Sequence, residues 1–133
     1  MIIQPTATYV LLDENGTATP MAGGDAFWSQ SAAQLDAIGQ CWLMAEFAFA
    51  GNWPNWEMHP HADEVVYLLE GEVRMLLQLT SGIAVHPLQA PAAMVIPKGV
   101  WHSAETTVPC RMLHLTMGDG TLSQPTAPLL EQP

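Results

Sequence analysis

Three histidines and two glutamates crowd into two short stretches of this 133-residue chain. The first runs Gly51-Asn52-Trp53-Pro54-Asn55-Trp56-Glu57-Met58-His59-Pro60-His61-Ala62-Asp63-Glu64 and continues to Glu70-Gly71. The second is Pro97-Lys98-Gly99-Val100-Trp101-His102. Residues two apart on a strand share a face, so Glu57 and His59 can point the same way, and so can His59 and His61. Pro60 and Ala62 suggest a bend, after which Glu64 opens the next strand close to the histidines. A tight turn at Pro97-Lys98-Gly99 re-aims the chain so that His102 reaches the same place. Imidazole and carboxylate together suit a divalent transition metal: Fe, Mn, Ni, Cu or Zn. Two histidines and a carboxylate with open positions suit iron and oxygen chemistry. A lone histidine in a strand is ordinarily just a hydrogen-bonded polar group. It is the gathering at two turn-flanked spots that argues for a site.

The elements that must position these residues are strands. Runs rich in Val, Leu, Met and aromatics cover 41–50, 55–59, 64–70, 72–79, 83–88, 93–96, 100–107 and 109–117, and Gly or Pro punctuates most gaps. Many short strands with regular breaks predict an all-β sandwich or barrel. One helix is expected, over Asp25–Ile38, where Phe27, Trp28, Ala32, Leu35 and Ile38 fall near helical spacing and Gly39 can end it. The organisation is one domain: an N-terminal extension with the short helix (1–40), a barrel (41–117), and a tail (118–133) that reads as irregular, with Pro125, Pro128 and Pro133.

Composition excludes several partners. The chain has 13 acidic residues and only three cations, Arg74, Lys98 and Arg111, for a net charge of −10. Nucleic acid and anionic membrane surfaces both need clustered Lys and Arg, so neither is expected as a partner. Charged residues make up 12 % of the chain, against roughly 25 % in an ordinary soluble domain. So sparse a charge suits a barrel whose outer face is covered by a twin subunit, a homodimer. The longest apolar run, Cys41–Ala50, is interrupted by Glu46 and is too short to span a bilayer. Met1–Val10 lacks the positive start of a secretory signal. Cys41 and Cys110 have no metal-type spacing and read as two buried free thiols in a reducing, cytoplasmic setting.

The two stretches resemble the two signature motifs of the cupin family, small β-barrel or jelly-roll proteins. The first family motif is Gly, five residues, His-x-His, three or four residues, Glu, six residues, Gly; the second contains Pro-x-Gly, two residues, His. The resemblance spans about 41–117, and Pro97, Gly99 and His102 fit the second motif without a gap. It implies a double-stranded β-helix, or jelly-roll, barrel. In the register that satisfies every spacing, Gly51 leads to Glu57 where the family has its first His, then His59, Glu64 and Gly71. The resemblance then implies Glu57, His59, Glu64 and His102 as metal ligands, with His61 in reserve. The other register pairs His59 with His61 but leaves one residue too few before Glu64. Pro91 and Thr106 stand where the second motif has Gly and Asn, positions that bind no metal in the family.

Around the ligands, Met44, Tyr67, Met75 and Met112 are candidates to line a soft apolar pocket, since thioethers adapt to irregular shapes. His114 and Trp101 are further pocket candidates. Plain core packing is the competing reading for each of these, and Glu46 reads as an edge or surface carboxylate. If Glu64 points inward, Asp63 points away. The resemblance implies a metal-dependent enzyme, an oxygenase or isomerase acting on a small organic molecule. The alternative is a non-catalytic barrel that binds a small ligand or metal as a sensor or accessory subunit. With so few cations, an anionic substrate would depend on the metal for its charge partner.

Overall fold

The computed structural model describes residues 1–126. Its strands are β1 (Thr8–Leu12), β2 (Ala18–Ala22), β3 (Trp42–Phe49), β4 (Asn55–Met58), β5 (Glu64–Glu70), β6 (Glu72–Leu79), β7 (Gly82–Gln89), β8 (Ala92–Ile96), β9 (His102–Glu105), β10 (Cys110–Thr116) and β11 (Leu122–Pro125). Two helices, α1 (Asp25–Trp28) and α2 (Ala32–Ile38), lie between β2 and β3. All strand pairs are antiparallel. They form a six-stranded sheet, β2-β1-β3-β10-β5-β8, and a five-stranded sheet, β11-β4-β9-β6-β7. This is the all-β architecture that the strand spacing predicts, and the jelly-roll that the resemblance implies.

Alternation decides which side chains fill the barrel. On β5, Val66 and Leu68 are fully buried; with Val73, Met75 and Leu77 of β6, Ile96, Ala104 and Met112 they make the main core between the sheets. A second cluster, Tyr9, Phe27 and Ala45, joins the N-terminal segment to β3, with Leu35, Ile38 and Phe47 against it. The two helices therefore cover one opening of the barrel.

Three expectations need correction. The single helix over 25–38 is two helices. Ser31 breaks it, because its hydroxyl accepts from the Gln34 amide while the Gln34 side chain accepts from the Ser31 amide, a reciprocal cap that starts a new helix. The N-terminal extension also carries a hairpin. Tyr9-Val10-Leu11-Leu12 pairs with β2 around a turn in which the Asp13 carboxylate accepts from the Asn15 and Thr17 amides. The tail is not irregular at its start, since β11 pairs with β4; residues 127–133 of that tail lie outside the described residues.

Candidate metal centre and its cavity

Glu57 sits near the end of β4, His59 just beyond it, Glu64 at the start of β5 and His102 at the start of β9. Glu57 and His102 are direct cross-strand partners. The Pro97-Lys98-Gly99 turn is fastened to the other motif. Gly99 N donates to the His59 carbonyl at 2.9 Å, and Lys98 N donates to the Asp63 carboxylate at 2.8 Å. Gly99 has φ 78°, a left-handed conformation that favours glycine. Asp63 does point away from the site, and its work is to hold the two motifs together.

One potential ligand atom from each of Glu57, His59 and His102 lies within 4.8 Å of the others. Glu64 lies among the histidines: its carboxylate is 3.2 Å from His102 Nε2, 3.5 Å from His59 Nε2 and 3.5 Å from His114 Nδ1. None of the three is an aligned hydrogen bond, and each is an ion pair only where the imidazole is protonated. Thr116 adds a short hydrogen bond, its hydroxyl donating to Glu64.

Hydrogen bonds fix the two imidazoles. His59 Nδ1 is 2.7 Å from Thr121 Oγ1, and that hydroxyl gives its proton to the Gly118 carbonyl at 2.7 Å. The hydroxyl can therefore only accept from His59, so Nδ1 carries the ring proton. His102 Nδ1 is 3.1 Å from the Val100 carbonyl, which also can only accept. In both neutral rings the lone pair is left on Nε2. Both Nε2 atoms are buried with no hydrogen-bond partner among the described residues. A metal-bound histidine shows the same division of labour, one nitrogen held by the protein and the other free to coordinate. The donor set present therefore fits a divalent transition ion.

Electrostatics agree with a tightly coupled set. Burial alone would push the Glu64 carboxyl up, but His102, His114 and His59 beside it hold it well below the ordinary carboxylate range. Burial pulls His102 down, yet the contact with Glu64, helped by the Val100 carbonyl and Glu57, raises it above its ordinary value.

A cavity of about 690 Å³ opens from this cluster toward the helices. Its walls are Leu43, Ala45, Phe47 and Phe49 of β3, Trp53, and Phe27, Leu35 and Ile38 from the helices. Of the pocket candidates, only His114 lines it. Met75 and Met112 are fully buried in the main core, Tyr67 is 40 % exposed, and Met44 and Trp101 are half-buried elsewhere. His61 is exposed, and both it and Glu64 stand outside the group formed by Glu57, His59 and His102. Glu46 is not a surface carboxylate. It is buried, and Arg111 holds it through Nε and Nη2 at 2.9 and 3.0 Å while Nη1 reaches Glu70. Cys110 is buried as expected, but Cys41 is only half-buried and borders the cavity. Thr116 and Thr121, which hold the ligands, were not singled out by the sequence. Thr116 had a signal, being two residues from His114 on one strand; Thr121 had none.

No protein-family model and no curated protein matches the chain. Solved structures do. Oxalate oxidase matches 90 % of this chain at 18 % identity with a TM-score of 0.52, and the chain spans 56 % of that protein's length. A cupin-2 domain protein from Shewanella frigidimarina matches 56 % of this chain and 68 % of its own at 26 % identity and a TM-score of 0.49. Hydroquinone 1,2-dioxygenase from Sphingomonas sp. TTNP3, solved with 4-hydroxybenzoate bound, matches 56 % of this chain and 57 % of its own at 16 % identity and a TM-score of 0.49. The chain shares its jelly-roll fold with oxalate oxidase, and the candidate metal ligands lie at one end of the barrel. Among the described residues no helix is long and apolar enough to cross a membrane.

Proposed function

We propose that the chain is a metal-dependent enzyme of the oxygenase or isomerase type, acting on a small organic molecule. Glu57, His59, Glu64 and His102 are the ligands in this reading. The observation that carries it is the pair of buried Nε2 atoms, each on a ring whose Nδ1 is already committed, and each facing the Glu64 carboxylate at 3.2 to 3.5 Å without an aligned hydrogen bond. A divalent ion bound there would supply Lewis acidity or oxygen activation. The protein's own part is to hold the imidazoles through Thr121 and Val100, to keep Glu64 ionised, and to seat the substrate in the adjoining cavity away from bulk water.

The test is elemental analysis of protein purified without chelator, with melting curves on adding Fe, Mn, Ni, Cu or Zn. Oxygen uptake is then assayed against small aromatics, thiols and diketones. Bound metal, a raised melting temperature and turnover of a substrate support the reading. No metal at any loading, with unchanged melting, contradicts it.

A second reading, a barrel that binds a small ligand without turnover, has one observation behind it. Glu64 has three imidazoles and the Thr116 hydroxyl around it, a set of partners the chain supplies by itself. Metal binding without turnover would favour that reading. The outer face of the six-stranded sheet supports a homodimer. The register puts Leu12, Trp42, Met44, Leu115, Val65, Tyr67 and Val95 on one side of it, and Leu12, Tyr67 and Val95 are exposed. The two free thiols support a reducing, cytoplasmic setting.

A further inference from the structure

We infer that α2 and residues 118–121 form a cover over the cavity whose closing also sets the His59 imidazole, so that an ion held at His59 keeps the cavity closed. This rests on the proposed function, whose regulation it names, but one arm of its test needs no metal.

Residues 118–121 touch the helical side at one end and the ligand side at the other. Gly39 ends α2 and is buried. Its carbonyl accepts from the Asp119 amide at 3.1 Å, and a Cβ on Gly39 would lie 2.9 Å from that same nitrogen. The end of α2 thus rests directly on the 118–121 backbone. The segment is a tight turn, because the Gly118 carbonyl accepts from the Thr121 amide at 3.1 Å and from the Thr121 hydroxyl at 2.7 Å. On the far side, Gly120 lies against the bend that follows His59. A Cβ there would meet Pro60 Cγ at 3.2 Å and His61 Nε2 at 3.3 Å. The Thr121 hydroxyl then holds His59 Nδ1 at 2.7 Å. An unbroken run of contacts therefore joins the end of α2 to the His59 ring.

The same residues are a wall of the cavity. Leu35, Ile38 and Gly39 line it at the helical end of the run, and Gly118, Gly120 and Thr121 at the ligand end. α2 is weakly anchored. None of its seven residues is buried, whereas α1 sinks Phe27 into the core. Segments with few buried side chains open at the lowest cost. Lifting α2 and the turn together takes a wall from the cavity and the partner from His59 Nδ1 in one movement. An ion on His59 Nε2 binds best where the ring is held, which is the closed arrangement. A ligand that favours one of two arrangements shifts the protein toward it. By reciprocity, whatever loosens the cover weakens the ion by the same factor.

Amide hydrogen exchange of the full chain, in chelator and with Zn2+, tests this. Zn2+ is expected to slow exchange at Gly39 and Asp119 about tenfold, although neither supplies a ligand atom, and to leave the ladder between β6 and β7 unchanged. In chelator, His59→Phe removes the donor to Thr121 and leaves the turn's own hydrogen bonds in place. It should speed exchange at the same two amides about fivefold, the worth of one hydrogen bond. At the other end of the run, Gly39→Ala pushes on the Asp119 amide and should weaken Zn2+ about tenfold by titration calorimetry. If that variant does not fold, the two exchange measurements decide. Bound Zn2+ with exchange at Gly39 and Asp119 altered less than about twofold overturns the inference. So does unchanged exchange in chelated His59→Phe, whether or not the protein takes up metal. Faster exchange in His59→Phe from a protein that binds no Zn2+ supports the link from His59 to the cover and counts against the proposed enzyme only.

Discussion

At the level of single residues, stability and metal affinity depend on where protons sit. His102 is held above its ordinary value of 6.5 in the folded chain. Its contribution to stability is complete below pH 6.5 and is lost as pH rises through the raised folded value. Glu64 works in the opposite sense. It is held well below its ordinary 4.5, so its contribution is present above pH 4.5 and is lost as pH falls through the lowered folded value. Chelated protein should therefore melt highest between about pH 5 and 6.5, and His102→Gln should flatten the alkaline arm of the melting curve. An alkaline arm unchanged in that variant would contradict the pairing. Thr121→Val removes the acceptor that fixes the His59 proton on Nδ1. Loss of such an outer partner is expected to weaken metal affinity about 10- to 100-fold, read by titration calorimetry. The grouping of Glu57, His59 and His102 was legible because the first two share a strand face beside a turn and His102 follows the Pro97-Lys98-Gly99 turn of the second motif. Thr121 was not, because its hydroxyl meets His59 from 62 residues away in sequence.

At the scale of elements, the two motif glycines make different demands. Gly71 has φ 92°, and a Cβ there would lie 2.5 Å from the Pro109 carbonyl and 2.7 Å from Cys110 Sγ. Gly51 has no neighbour within 4 Å of a Cβ and no such backbone constraint. Gly71→Ala should cost at least ~2 kcal/mol from backbone strain and overlap, while Gly51→Ala should stay within about 0.5 kcal/mol; urea unfolding of both variants checks this. Strand positions were legible from period-two patterning between Gly and Pro, which is why β5 and β6 fall where expected. Strand parity was harder. On β3, Trp42, Met44 and Ala48 on one face are as apolar as Leu43, Ala45, Phe47 and Phe49 on the other. Nothing local says which set faces the cavity, and Met44 proves to be on the wrong side. The hairpin of β1 and β2 left a turn signal at Asn15-Gly16, but its strands gain their place only by pairing with β3.

At the scale of the whole molecule, the cavity belongs to no single element. It forms where α1, α2 and the 118–121 segment close over β3 and the ligand end of the barrel, so a sequence pass along single strands could not outline it. The outer apolar face is also a property of the assembled sheet. Sedimentation should give twice the chain mass of 14.4 kDa, and Val95→Glu should reduce it to one chain; a monomeric unaltered protein would contradict the dimer. The central claim is that two imidazoles and two carboxylates share one ion. X-ray absorption at the metal edge of the loaded protein reads that shell directly. Two imidazole nitrogens with oxygen donors at about 2.0–2.2 Å are expected, falling to one imidazole in His59→Ala. A shell with no imidazole, with sulfur, or unchanged in that variant would contradict it.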